Sequence, residues 1–296
     1  MRWSGREESN DVEDGGSGGG GGGQGLGIGG GIIGIVGFVI YLFTGYNPTQ
    51  LLNQVGGNQQ QQQTTQQSTP SQLSQSDSTN LHFSRVILND VDNTWIKIFA
   101  GMGKTFEKPK LVHFQIEVDA SGCGMASSAT GPFYCPADRK VYLDFGFFDE
   151  LSNRFHAGGD FAKAYVIAHE VGHHVQNLLG VSAKMDEMRQ QMSETDYNKM
   201  SVKLELQADF YAGVWAHYEA QLKNTDNQSV IEPGDIESAL TAANAIGDDR
   251  LQQESTGHVS PDSFTHGTSA QRMYWFKKGY ETGDIKQGNT FAEGAL

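Results

Sequence analysis

Two short stretches of the chain carry residue types that can do chemistry, at a spacing that suits it. The first is His169-Glu170-Val171-Gly172-His173. Helical residues four apart share one face with Cβ atoms ~6 Å apart, so both imidazoles can reach one Zn²⁺ at ~2.0–2.1 Å. Glu170 stands about a quarter-turn round the helix. That is too far offset for a third equivalent ligand, but suits contact with a metal-held water. Tyr165, Val166, Ile167, Val171, Val175, Leu178 and Leu179 flank the group. These apolar neighbours bury the helix around a polar spot, and buried polar groups demand partners. A solvated polar face that matched by accident would not carry such flanks.

The second stretch is Glu205-Leu206-Gln207-Ala208-Asp209. A catalytic zinc takes three protein ligands and leaves one position open. Glu205 and Asp209, again one turn apart, offer a third ligand and a second carboxylate that can accept the free ring N–H of a liganding histidine. Exposed acids would not sit amid Leu204, Leu206, Ala208, Phe210, Tyr211, Ala212 and Trp215. His174 points about 100° away from the ligand face and reads as a hydrogen-bonded or surface histidine. The same reading covers His82, His113, His156 and His217.

The elements that must hold these residues are legible in outline. Val91, Trp95, Ile98 and Phe99 fall at helical spacing within 84–101, whereas 111–119 and 140–145 alternate like strands. Helices are predicted near 160–179, 185–193, 197–223, 234–254 and 268–281, with Gly180 as a stop and Asp235 as a start. Strands first and helices later is an α+β order.

Before this domain the composition changes. Residues 15–31 are mostly glycine and 58–76 form a Gln/Ser/Thr tract, so the first eighty residues are expected to stay outside any packed core. Between them, residues 25–43 run nineteen positions without a charge, enough to cross a ~30 Å hydrocarbon layer as a helix. A cleaved signal peptide fits less well, because no A-x-A-like site follows. The expected plan is a Gly-rich cytoplasmic tail over 1–24, a membrane anchor over 25–43, a flexible spacer over 44–80 and a catalytic domain over 81–296. Arg2 and Arg6 precede the apolar run and no basic residue follows until Arg85. The positive-inside bias then puts the domain in the periplasm or outside the cell. In that compartment Cys123 and Cys135 would form a disulfide rather than remain as two core thiols. A net charge of −14 with no basic cluster excludes nucleic acid as a partner.

HEVGHH together with ELQAD resembles the bacterial neutral zinc metallopeptidases, a membrane-tethered group of zincins. The similarity extends to MRWSGREESNDVED, GPFYCPADRKVYLDFGFFDEL, GDIESALTAANAIGDDRLQ and THGTSAQRMYWFKKGY. It covers nearly the whole chain outside the Gln-rich spacer. The resemblance implies a zincin-like domain, a small sheet followed by a mostly helical part. It also implies His169, His173 and Glu205 as zinc ligands and Glu170 as catalytic acid/base. His266 and Arg272 in THGTSAQR match a pair found in membrane-associated metallopeptidases with a glutamate third ligand. Either would stabilise an oxyanion or hold the site together. The expected activity is peptide-bond hydrolysis by zinc-activated water, with an extended substrate pairing with the strand at 140–144. A zinc amidase acting on cell-wall peptides and a non-catalytic, membrane-tethered zinc module are the rival readings.

Overall fold

The computed structural model describes residues 1–17 and 74–295. The chain enters as strand β1 (Val12–Ser17) and returns as helix α1 (Gln75–Gly101). Ser74 caps α1 by accepting a hydrogen bond from the Asp77 amide at 3.1 Å. The helix therefore starts inside the stretch expected to be spacer. Phe83, Ile87, Val91, Trp95 and Phe99 recur every fourth position and are all buried. This apolar stripe makes α1 a core helix.

Strands β2 (Lys110–Gln115), β3 (Glu117–Ala120), β4 (Gly124–Ser127), β5 (Phe133–Cys135) and β6 (Lys140–Asp144) follow. The larger sheet has the order β1-β2-β6-β5. Its first three strands are parallel, and β5 runs antiparallel to β6. The predicted strand at 111–119 divides at Ile116, whose φ of 69° turns the chain out of the sheet and into the β3–β4 hairpin. Cys123 in that hairpin's turn is bonded to Cys135 at the end of β5, so the hairpin is tied to the sheet's edge. β6 is paired on both sides. It therefore has no edge for a substrate strand, and the expectation for 140–144 passes to β5, the outer strand.

Helices α2 (Gly146–Asn153), α3 (Asp160–Leu178), α4 (Val181–Arg189), α5 (Glu194–Glu219), α6 (Asp235–Ala245), α7 (Asp248–Thr256) and α8 (Ser269–Thr282) complete the fold. The mixed α+β order agrees with the sequence reading. The single helix predicted over 234–254 is two, α6 and α7, because the chain turns at Ile246 and Gly247 where the start of α8 packs in. α5 and α8 cross almost backbone to backbone. A Cβ at Gly213 would lie 2.0 Å from the Phe276 carbonyl oxygen, and one at Gly279 would lie 2.1 Å from that of Phe210. Only glycine permits this approach.

The N-terminus corrects two expectations. Residues 1–17 are part of the folded body and not a tail. β1 pairs with β2 from Val12 opposite Leu111, and Trp3 Nε1 donates to Asp160 at 2.8 Å. Arg6 pairs with Asp90 at 2.9 Å and also with Glu219. The glycine run begins only after Asp14, and the residues ahead of it carry enough apolar and charged side chains to dock. The second correction concerns localisation. Among the described residues no helix is long and apolar enough to cross a membrane, and the predicted anchor at 25–43 lies outside the described residues. A single crossing there would also leave 1–17 and 74–295 on opposite faces, whereas the structure joins them in one sheet. The single-pass arrangement with a cytoplasmic N-terminus and an external domain is therefore withdrawn.

Asp92 on α1 is fully buried, and neither of its oxygens has a hydrogen-bond partner among the described residues. Lys108 Nζ stands 4.0 Å away. Burial pushes the Asp92 carboxyl up to about 8, against the pull of Lys108. Its folded-state pKa thus exceeds the unfolded value near ~3.9. The folded protein holds the extra proton between those values, so stability falls as pH rises through that window. Asp92→Asn is expected to flatten part of this slope and to leave the variant on the order of 1–3 kcal/mol more stable than wild type at pH 8. Urea unfolding at pH 5 and pH 8 measures it. Identical slopes for the two proteins would contradict the expectation.

Candidate metal centre

α3 and α5 cross at the two motifs read from the sequence. Gly172 in HEVGH faces Ala208 in ELQAD, where an added Cβ would come within 3.0 Å of the Ala208 carbonyl oxygen. This close contact brings the polar faces of both helices together. One ligand atom each from His169, His173 and Glu205 lies within 4.8 Å of the others. Glu205 sits between the imidazoles, 3.1 Å from His169 Nε2 and 3.5 Å from His173 Nε2.

The opposite ring nitrogens are held from behind. His169 Nδ1 is 2.9 Å from Asp209 Oδ1, and His173 Nδ1 is 2.8 Å from Gln176 Oε1. A carboxylate and an amide oxygen can only accept, so each Nδ1 carries a proton and each Nε2 is turned toward Glu205. Gln176 is fixed in turn, donating to the Leu204 carbonyl at 2.7 Å and to Gln207 at 3.2 Å.

Behind His169 lies a fully buried ionic group. Asp209 accepts from Tyr165 Oη at 2.6 Å, and from Arg272 Nε at 2.8 Å and Nη2 at 2.9 Å. Arg272 also reaches the Tyr165 oxygen at 3.2 Å and the Ile246 carbonyl at 3.4 Å. Its guanidinium is thus spent on the back of the site.

His266 lines the cleft together with Glu170, His173 and Glu205. It is held by Asp248, the first residue of α7. One Asp248 oxygen accepts from the backbone N–H groups of Thr265 (2.8 Å), His266 (2.7 Å) and Gly267 (3.0 Å), while the other lies 3.2 Å from His266 Nδ1.

The electrostatics follow from burial and neighbours. Burial disfavours a charged His169, yet the Asp209 carboxylate and hydrogen bonds to Asp209 and Glu205 outweigh it and push its pKa up to about 10. Burial likewise opposes ionisation of Glu205, but His173 and the imidazole hydrogen bonds hold it well below the usual carboxylate range. Asp209, beside Arg272 and His169, is also lowered against its burial. Glu170 differs. Burial raises its pKa, and the two histidines only partly offset this. The carboxylates therefore favour positive charge, as protons or as a metal ion, at the point where three ligand atoms converge, while one carboxyl beside it is kept more basic. Two imidazole nitrogens and one carboxylate oxygen, with their second nitrogens already tied, are a donor set that fits a catalytic zinc ion.

Glu170 lies on the wall shared by two hollows. The larger is lined by Phe133, Tyr134, His173, Met185 and Tyr197 among others. The other is narrow and is lined by Phe147, Val166, His169 and Ile246 among others. Pro132, just ahead of β5, borders both.

The family model described as "Putative neutral zinc metallopeptidase" matches residues 1–291. The chain belongs to this family. "Uncharacterized protein YpfJ" of Escherichia coli is 46% identical to this metallopeptidase-family chain over 296 residues, covering 99% of each. "Uncharacterized protein Rv2575" of Mycobacterium tuberculosis is 45% identical over 213 residues, covering 70% of this chain and 69% of the relative. No solved structure matches. A zinc metallopeptidase family implies zinc, and the His-His-Glu cluster is where this member's donor atoms converge.

The residues singled out from the two motifs come together, with Arg272 bonded to Asp209 and His266 lining the cleft with Glu170, His173 and Glu205. Tyr165, Gln176 and Asp248 were not anticipated as parts of the site. For two of them a signal was present, since Tyr165 is four positions before His169 and Gln176 three after His173, on the same side of the helix. Asp248 had no local signal, because its contacts lie 17 to 19 positions along the chain.

Proposed function

We propose that the protein hydrolyses peptide bonds in the cleft between β5 and α3, with His169, His173 and Glu205 as zinc ligands and Glu170 as general base. The observation that carries this reading is the position of Glu170. It is a buried carboxyl of raised pKa on the wall common to both hollows, next to three converging ligand atoms. Zinc held by those atoms supplies Lewis acidity, polarising the scissile carbonyl and making a water molecule easier to deprotonate.

The residues do the rest. Glu170 accepts the proton of the attacking water on its carboxylate oxygen and later delivers it to the leaving amine nitrogen. A carboxyl of raised pKa is a stronger base for the first transfer, and remains able to release the proton in the second. His266, with Nδ1 tied to Asp248, donates from Nε2 to the oxyanion as charge develops there. Asp209 and Gln176 fix the ring orientation of His169 and His173. Arg272 acts through Asp209. Substrate lies extended along the outer edge of β5, where main-chain hydrogen bonds align it and the larger hollow takes a side chain beside the scissile bond.

Purified protein loaded with zinc is expected to degrade casein, and to stop when a chelator removes the metal and resume when zinc is restored. Release of peptides from peptidoglycan without any action on casein would instead favour an amidase. No turnover of either substrate, with zinc firmly bound, would favour a non-catalytic module.

A further inference from the structure

The third histidine of HEVGHH has no part in the metal cluster, and its surroundings give it a different task. His174 is fully buried, and both ring nitrogens are engaged. Nε2 lies 2.6 Å from the Glu107 carbonyl oxygen, which can only accept, so Nε2 carries the proton. Nδ1 is then an acceptor, and the Tyr134 hydroxyl 2.9 Å away donates to it. Asn177, one turn of α3 further along, donates to the Tyr134 oxygen at 3.0 Å and to the Pro136 carbonyl at 3.3 Å. Each donor and acceptor in this chain has one consistent role.

The chain joins two particular parts of the molecule. Tyr134 is the middle residue of β5, a three-residue strand that pairs only with β6 among the described strands. A strand so short, held on one side, has little of its own to fix its height above α3. His174 and Asn177 supply that from α3, at positions directly beside and four beyond the ligand His173. Glu107, ahead of β2, anchors the far side of the imidazole. We propose that the Tyr134–His174–Glu107 chain is the positioning device that sets the substrate-binding edge of β5 over Glu170 and His173. It is a tether between the strand that aligns the peptide and the helix that cleaves it.

The proposal rests on the peptidase reading above, and the test separates the two. Tyr134→Phe keeps the ring that lines the cleft and removes only the hydroxyl. Zinc content and Tm are measured first and should stay close to wild type. An octapeptide can pair along β5, whereas a blocked dipeptide amide barely spans the scissile bond. A lost hydrogen bond of ordinary strength corresponds to roughly tenfold. Tyr134→Phe should therefore raise KM for the octapeptide about tenfold with kcat within about threefold, and leave kcat/KM for the dipeptide amide near wild type. Binding of the octapeptide to zinc-loaded protein carrying Glu170→Gln, followed by calorimetry, should weaken by the same factor when Tyr134→Phe is added. His174→Gln, whose amide can donate to Glu107 and accept from Tyr134, should retain more octapeptide affinity than His174→Ala. Equal losses on both substrates would mean a merely structural role and overturn the proposal, as would unchanged octapeptide binding. If wild type cleaves neither substrate, the peptidase reading fails by itself, and the calorimetric comparison still decides the tether.

Discussion

Replacing Glu170 by Gln is expected to leave zinc bound and to slow peptide hydrolysis by about 10²–10⁴-fold, the usual worth of a positioned general base. Glu170 is not one of the three converging ligand atoms, and glutamine has nearly the same shape, so metal content should not change. What disappears is an oxygen able to take a proton. Its raised pKa comes from burial in the helix that carries both histidines, and the amide keeps that packing while titrating nowhere. Zinc by elemental analysis and casein hydrolysis are measured on one sample. Near-wild-type hydrolysis with full zinc would end the mechanism proposed here.

Glu205→Ala and Asp209→Ala should fail in different ways, and the contrast is the second large effect. Glu205 stands between the two Nε2 atoms, so its loss leaves two protein ligands and should abolish tight zinc binding with little cost to the fold. Asp209 is fully buried and answers His169, Tyr165 and both nitrogens of the Arg272 fork. Removing it strands a buried guanidinium, which typically costs ~3–5 kcal/mol. For a domain of this size that is a fall in Tm of roughly 6–20 °C. Zinc affinity should fall ~10–100-fold as well, because His169 loses the partner that orients it. Adding Arg272→Met to Asp209→Ala should recover stability but not zinc affinity, since the stranded charge is gone while His169 remains unsupported. Thermal melts and zinc titrations of the three variants supply the comparison. Wild-type zinc affinity in Glu205→Ala would remove it from the ligand set, and an unchanged Tm in Asp209→Ala would refute the buried-pair argument.

What the sequence made legible was the part governed by short-range geometry. His169 and His173, like Glu205 and Asp209, are one helical turn apart, and the apolar residues around them announce burial. That two such faces would meet could be argued from chemistry alone, because each lacked what the other offers. Arg272 could be singled out but not assigned, since its partner is chosen by the α5–α8 crossing at Gly213 and Gly279, a contact between helices far apart in sequence. The same limit explains β5 and β6. Alternation marks both as strands, but which of them forms the edge depends on sheet order. It also explains the N-terminus, where glycine-rich composition masked a parallel pairing whose partner comes much later.

That parallel pairing constrains the order in which the protein can assemble. β1 leaves the ribosome well ahead of its partner, since Leu111, opposite its Val12, lies nearly a hundred positions later. At ~5–20 residues per second, the strand waits roughly 5–20 s for its partner. During that interval it is an unpaired strand that could template association between nascent chains. Its sequence, VEDGGS, has one large apolar residue, two acidic charges and two glycines, a composition that disfavours premature pairing. Lys110 on β2 and Lys140 on β6 later reach Glu13, so the charge that keeps the strand apart from its neighbours in the polysome also guides it to its own sheet.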